Sequence, residues 1–200
     1  HRVLNDLVRG AIPGGRQGTA AAALLLGVLT PLAKPEQPGE VRPIAIPEPL
    51  RRLLARAVCL QHREEFAAAL EPEQCAVGLG GGSEVLQKTV MAMGVTHPRH
   101  VVYKLDAENA YNTLWRSAAV GQAAHDVPDL AGFWHLCYTR GECHSRYVYR
   151  GGGRPHFVLS DCGVDQGDGL APVLFAFGVK RQATALREAR EERASQRGVA

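Results

Sequence analysis

The stretch Val101-Val102-Tyr103-Lys104-Leu105-Asp106-Ala107-Glu108-Asn109-Ala110-Tyr111 decides how the rest of the chain is read. Its first five residues are mostly apolar and include two β-branched side chains, which predicts a short buried strand. Asp106 stands at the end of that run. Tyr111, Leu114 and Trp115 then fall at helical spacing. A strand that ends on an acid and turns into a helix sets the acid at a sheet edge. Two roles follow for Asp106: N-cap of the helix, a task Asn109 can share, or ligand for a divalent metal held against a phosphate.

Outward from this stretch, 200 residues suffice for about one domain, and 46% apolar residues suffice for a core. A net charge of +3 permits nucleic-acid binding without demanding it. The apolar run Ala20–Leu29 is too short to span a bilayer. Five scattered cysteines and no secretory signal point to reduced thiols and an intracellular setting, with the nucleus open as the compartment. The chain starts at His1, which suggests an excerpt from a longer protein.

Several further elements are expected. Ala20–Leu29 favours helix, giving way to strand near Val28–Thr30. Leu32–Lys34 and Val41–Ile46 flank a Pro/Gly turn and predict a hairpin whose Pro43 belongs at an edge. Pro47–Leu70 reads as one long helix with Leu50, Leu53, Leu54 and Ala57 inward and Arg51, Arg52 and Arg56 off that stripe. Ser83 is expected to cap a helix that Gly94 stops. After the central strand a helix runs to about Ala124, and another covers Pro128–Tyr138. Arg146–Tyr149 and His156–Leu159 flank Gly151-Gly152-Gly153 as a second hairpin. Leu170 to about Arg193 is the last helix. Helices between short strands and two hairpins favour α+β over a regular doubly wound sheet.

Gly163-Val164-Asp165-Gln166-Gly167-Asp168-Gly169-Leu170-Ala171-Pro172 is a glycine-rich turn into a helix with proline in its first turn. Its backbone is able to approach a base or phosphate closely, or it is a plain loop capped by Asp168. Lys34 and Arg42 at the hairpin base suit phosphate, or are solvated surface charges. Gly78–Ser83 fits a dinucleotide fingerprint poorly: no strand precedes it, and the next acid after a strand, Asp106, lies 28 residues beyond Gly78. His135, Cys137, Cys143 and His144 match no zinc spacing, and ordinary packing is the simpler reading.

The order of these pieces carries a resemblance. Lys34 and Arg42-Pro43-Ile44 come first, then a basic amphipathic helix and Pro72-x-Gln74-x-x-Val77-Gly78. Lys104-Leu105-Asp106-Ala107-Glu108-Asn109-Ala110-Tyr111-Asn112 follows. Ser160-x-x-Gly163-Val164-x-Gln166-Gly167-Asp168-x-Leu170-x-Pro172-x-Leu174-Phe175 closes the series. Across residues 26–180 this resembles reverse transcriptases, particularly those of non-LTR retrotransposons.

The resemblance implies a right-hand polymerase in part: an N-terminal extension (1–25), a fingers-like region (26–98), a partial palm (99–180) and a charged helical tail (181–200), with the thumb absent. It implies template-directed DNA synthesis with two Mg²⁺ ions, an RNA template, a DNA primer and deoxynucleoside triphosphates, and no membrane. By the same resemblance Asp106 is the catalytic, metal-binding aspartate and the Ala107 carbonyl a second metal ligand. Tyr111 excludes a ribose 2′-OH, Gln166 and Gly167 line the nucleotide pocket, Lys34 and Arg42 reach the phosphates, and Gln74 and Gly78 lie on the template side. The family supplies further aspartates from an Asp-Asp hairpin, and this chain has no Asp-Asp pair. The expectation is therefore a polymerase fragment, inactive alone. A non-catalytic nucleic-acid-binding relic of a retroelement and an NAD-binding oxidoreductase using Gly78–Gly82 are the alternatives.

Overall fold

The computed structural model describes residues 23–35, 37–78, 80–138 and 145–196. Within them the chain is α+β, with a four-stranded mixed sheet and seven α-helices. Strands β1 (Leu26–Ala33) and β2 (Val41–Pro47) pair antiparallel with Pro31 opposite Pro43. Strands β3 (Ser145–Gly151) and β4 (Arg154–Ser160) form the second hairpin. Its two-residue turn puts Gly152 and Gly153 at φ 59° and 75°, conformations that glycine adopts without steric cost. β1 joins β3 in parallel, giving the order β2-β1-β3-β4. Pro43 thus lies on an edge strand, where a missing N–H is tolerated.

The helices are α1 (Pro49–Gln61), α2 (Arg63–Leu70), α3 (Gly82–Thr96), α4 (Ala110–Thr113), α5 (Arg116–Asp126), α6 (Ala131–Tyr138) and α7 (Ala171–Gln196). A 3-10 turn, Pro128–Leu130, leads into α6. The core forms where α2, α5 and α6 meet the apolar first half of α7. Trp134, Phe66, Leu174 and Phe177 are essentially closed to solvent, and truncating such an aromatic to alanine costs about 3–5 kcal/mol.

Several sequence expectations are corrected. Residues 101–105 are not a strand: they run outside the sheet, and Tyr103 and Leu105 are 84% and 85% exposed. An apolar run becomes a strand only where another strand satisfies its backbone groups. No strand lies beside it among the described residues. The helix expected through Ala124 is broken at Leu114 and Trp115 into α4 and α5.

The described part of the expected helix 20–29 is mainly β1, whose pairing with β2 overrides local propensity. Residues 20–22 lie outside the described residues. The single helix 47–70 is two, interrupted at His62. Its supposed inner stripe is partly outer: Leu50 and Leu53 are exposed, while Arg51, Ala55 and Val58 are buried. Helix α3 starts after Gly81 rather than on a Ser83 cap and passes Gly94 to end at Thr96. Strands β1 and β3, which lie on either side of residue 98, are neighbours in the sheet.

Candidate nucleotide-binding cleft

The β1–β2 hairpin, the segment entering α4 and the turn before α7 enclose an open cleft of about 770 Å³. Lys34, Arg42, Asp106, Ala107, Tyr111, Gln166 and Gly167 all line it. Seven residues assigned to one nucleotide site from three distant parts of the sequence therefore share one cavity. Gln74 and Gly78 do not line it. Gly78 packs instead on α2, where a Cβ would stand 2.8 Å from the Arg63 carbonyl oxygen, and its own carbonyl accepts from Arg63 Nε.

Asp106 is exposed on the cleft wall and does not cap α4. That position belongs to Asn109, in the left-handed region at φ 50°. Tyr111, in the first turn of α4, is half-buried, and its ring stacks on Phe175 of α7 at 5.2 Å with a 27° tilt. Burial pushes its phenol above the usual tyrosine range. Its carbonyl accepts from the Val164 N–H at 2.7 Å, which ties α4 to the glycine-rich turn.

The cations differ in state. Lys34 Nζ is engaged at the hairpin tip, donating to Glu40 Oε2 at 2.6 Å and Gln37 Oε1 at 3.0 Å. Arg42 is exposed and makes no ion pair among the described residues. Gln166 is half-buried, and its side chain makes no hydrogen bond among the described residues. Gly167 holds φ 127°, and a Cβ there would collide with the Ala45 carbonyl oxygen of β2. Only glycine fits such a conformation and approach together. The turn and the hairpin that carries Arg42 are thus in direct contact.

Behind the cleft lies a buried polar network that the sequence reading missed. Arg51 Nη2 donates to Asp168 Oδ2 at 2.7 Å and to Asp165 Oδ2 at 3.3 Å, and Nη1 donates to Ser145 Oγ at 2.7 Å. Asp168 also accepts from the Tyr138 hydroxyl at 2.7 Å and from the Leu170 N–H at 3.0 Å, so it caps the approach to α7. Asp165 accepts from Tyr147 and Ser160, each at 2.7 Å. Burial opposes the charge on Arg51, but the groups facing it, the Asp168 and Asp165 carboxylates among them, outweigh burial and raise its pKa. Burial and the adjacent acids together push the Tyr138 and Tyr147 phenols upward. Cys137 lies in the same core, its thiol pushed up to about 12 mainly by burial, so it packs as a neutral group. Cys143 and His144 lie outside the described residues. One signal for Arg51 was present: Arg51, Ala55 and Val58 sit at i, i+4 and i+7, a second helical stripe headed by an arginine.

Asp106 and the Ala107 carbonyl are hard oxygen donors of the kind Mg²⁺ takes. Of the acids lining the cleft, Glu40 is paired with Lys34, and Asp106 and Glu108 are exposed on its wall. Asp168 adds nothing here, since its carboxylate is sealed against Arg51. No cluster of three or more His, Cys, Asp or Glu suited to a metal occurs among the described residues.

No family model, no curated protein and no solved structure matches the chain. Among the described residues no helix is long and apolar enough to cross a membrane.

Proposed function

We propose that the chain forms the fingers and the first part of the palm of an RNA-directed DNA polymerase of the non-LTR retrotransposon kind, and that its cleft receives the incoming deoxynucleoside triphosphate. The observation that supports this most is the shared cavity of Lys34, Arg42, Asp106, Ala107, Tyr111, Gln166 and Gly167. Lys34 and Arg42 take the phosphates, the arginine through its planar fork and the lysine as a point charge. The Tyr111 ring, backed by Phe175, bounds the sugar and excludes a 2′-OH. Gln166 offers a free amide to the base or sugar, and Gly167 lets the backbone come close. RNA template and DNA primer are the macromolecular partners. Asp106 and Ala107 would hold one side of a Mg²⁺ site, and the Asp-Asp pair that the resemblance calls for does not occur in this sequence.

The lack of an Asp-Asp pair in the sequence favours a second reading, a relic that binds nucleic acid without catalysis. The oxidoreductase reading has less support: turns at 71–77, not a strand, precede Gly78.

Equilibrium titration with dTTP and with NADH, in MgCl₂, tests the proposal. Binding of dTTP that weakens about tenfold in Arg42→Ala is expected, the size of one charge-assisted hydrogen bond. NADH binding at Gly78–Gly82, with no response to dTTP, would overturn it.

A further inference from the structure

Resting on the nucleotide reading of the cleft, we infer that Tyr138 is the positioning residue of the Gln166–Gly167 turn, held between two buried arginines and bonded to the acid that anchors the turn. Tyr138 is the last residue of α6 and is 1% exposed. The guanidinium of Arg51 lies over its ring at 5.3 Å and that of Arg116 at 5.4 Å. Its hydroxyl donates to Asp168 Oδ2 at 2.7 Å.

Both arginines secure the turn. Arg116 grips the incoming side through carbonyls: Nε donates to Gly163 O at 2.7 Å, Nη1 to Ser160 O at 2.7 Å and Nη2 to Cys162 O at 2.9 Å. Arg51 grips the two acids that flank Gln166 and Gly167, through the carboxylates of Asp165 and Asp168. Gln166 and Gly167 lie between those two acids and have no such side-chain tether among the described residues. The phenol ring is the body both cations share, and its hydroxyl fixes the height of Asp168 against α6.

Placement of the turn reaches the cleft by two routes. Gln166 and Gly167 line the cavity directly. Gly167 also abuts the Ala45 carbonyl, so a displaced turn displaces the hairpin strand carrying Arg42. A purely structural core residue has neither route. Cation–π contact and buried hydrogen bonding are strongest where solvent is excluded, as at this site.

The test uses Tyr138→Phe, which keeps the ring between the arginines and removes only the hydroxyl. Leu130→Ala, a fully buried position in the 3-10 turn, is the control for general loss of stability. Backbone amide resonances of ¹⁵N-labelled protein are followed without ligand and during titration with dTTP. Tyr138→Phe is expected to shift the Gln166 and Gly167 amides in the free protein and to weaken dTTP binding about fivefold, the scale of one buried hydrogen bond. Leu130→Ala is expected to leave both within twofold of the parent despite a lower melting temperature. Unmoved Gly167 and Gln166 amides in Tyr138→Phe, or equal losses of affinity in the two variants, would overturn the inference. If the parent itself shows no dTTP response, the nucleotide reading fails instead, and the free-protein amide shifts still judge the clamp.

Discussion

Replacing Arg51 with methionine keeps most of the side-chain volume and removes the cation that bonds both Asp165 and Asp168. The two carboxylates stay 6% and 1% exposed with no guanidinium facing them. Breaking a buried pair from one side costs about 3–5 kcal/mol, because the uncompensated charge stays in place. For a chain of this length each kcal/mol shifts the melting temperature by about 2–4 °C, so a drop of roughly 6–20 °C is expected. Asp168→Asn alone is also destabilising, since Arg51 and the Tyr138 hydroxyl then face a neutral amide. Combined, Arg51→Met and Asp168→Asn remove charge from both sides, and the double variant is expected to be more stable than the sum of the singles by about 2 kcal/mol. Urea unfolding of the four proteins, followed by circular dichroism at pH 7, measures the coupling directly. Single variants within about 1 kcal/mol of the parent, or strictly additive losses, would refute the view that this network is a tightly coupled buried unit.

Other outcomes follow from the same geometry. Glu40→Gln frees Lys34 from its exposed ion pair and is expected to tighten dTTP binding about two- to fivefold, measured by titration. Phe175→Ala removes the ring behind Tyr111 and is expected to narrow the preference for dTTP over UTP in competition binding, whereas an unchanged preference would detach Tyr111 from the sugar. The 200 residues alone are expected to extend no primer on poly(rA)–oligo(dT), because they carry no Asp-Asp pair, and extension would contradict that expectation. Burial works against the charge on Asp126, but hydrogen bonds from Lys180, His125 and Gln122 outweigh it and hold the group below the usual carboxylate range. Its contribution is therefore present above the unfolded value of about 3.9 and is lost as pH falls through the lower folded value. Asp126→Asn is expected to flatten that part of the acid-unfolding curve.

Local chemistry made some of the architecture legible in the sequence. The Gly152-Gly153 turn and the Pro/Gly break before Val41 mark both hairpins, because few residues tolerate those backbone conformations. Tertiary partnership was not legible. Val101–Leu105 has the composition of a strand, but composition does not say what pairs with it. Arg51 was misplaced because leucines at 50, 53 and 54 outweigh a stripe of one arginine, one alanine and one valine in any count of apolarity. The arginine turns inward because Asp165 and Asp168, more than a hundred residues later, give its charge partners. The cleft residues were identified through motif order, and the structure sets them around one cavity. Gln74 and Gly78, assigned by the same motif order, lie elsewhere, and their loop is shaped by packing on α2.

What occupies the cleft decides the function. Photo-crosslinking with 8-azido-dATP in MgCl₂, followed by peptide mapping, locates the bound nucleotide. Label within 106–112 or 166–172, competed by dGTP and reduced in Arg42→Ala, is the predicted result. Label confined to the Gly78–Gly82 loop, or spread over the surface and indifferent to dGTP, would contradict it.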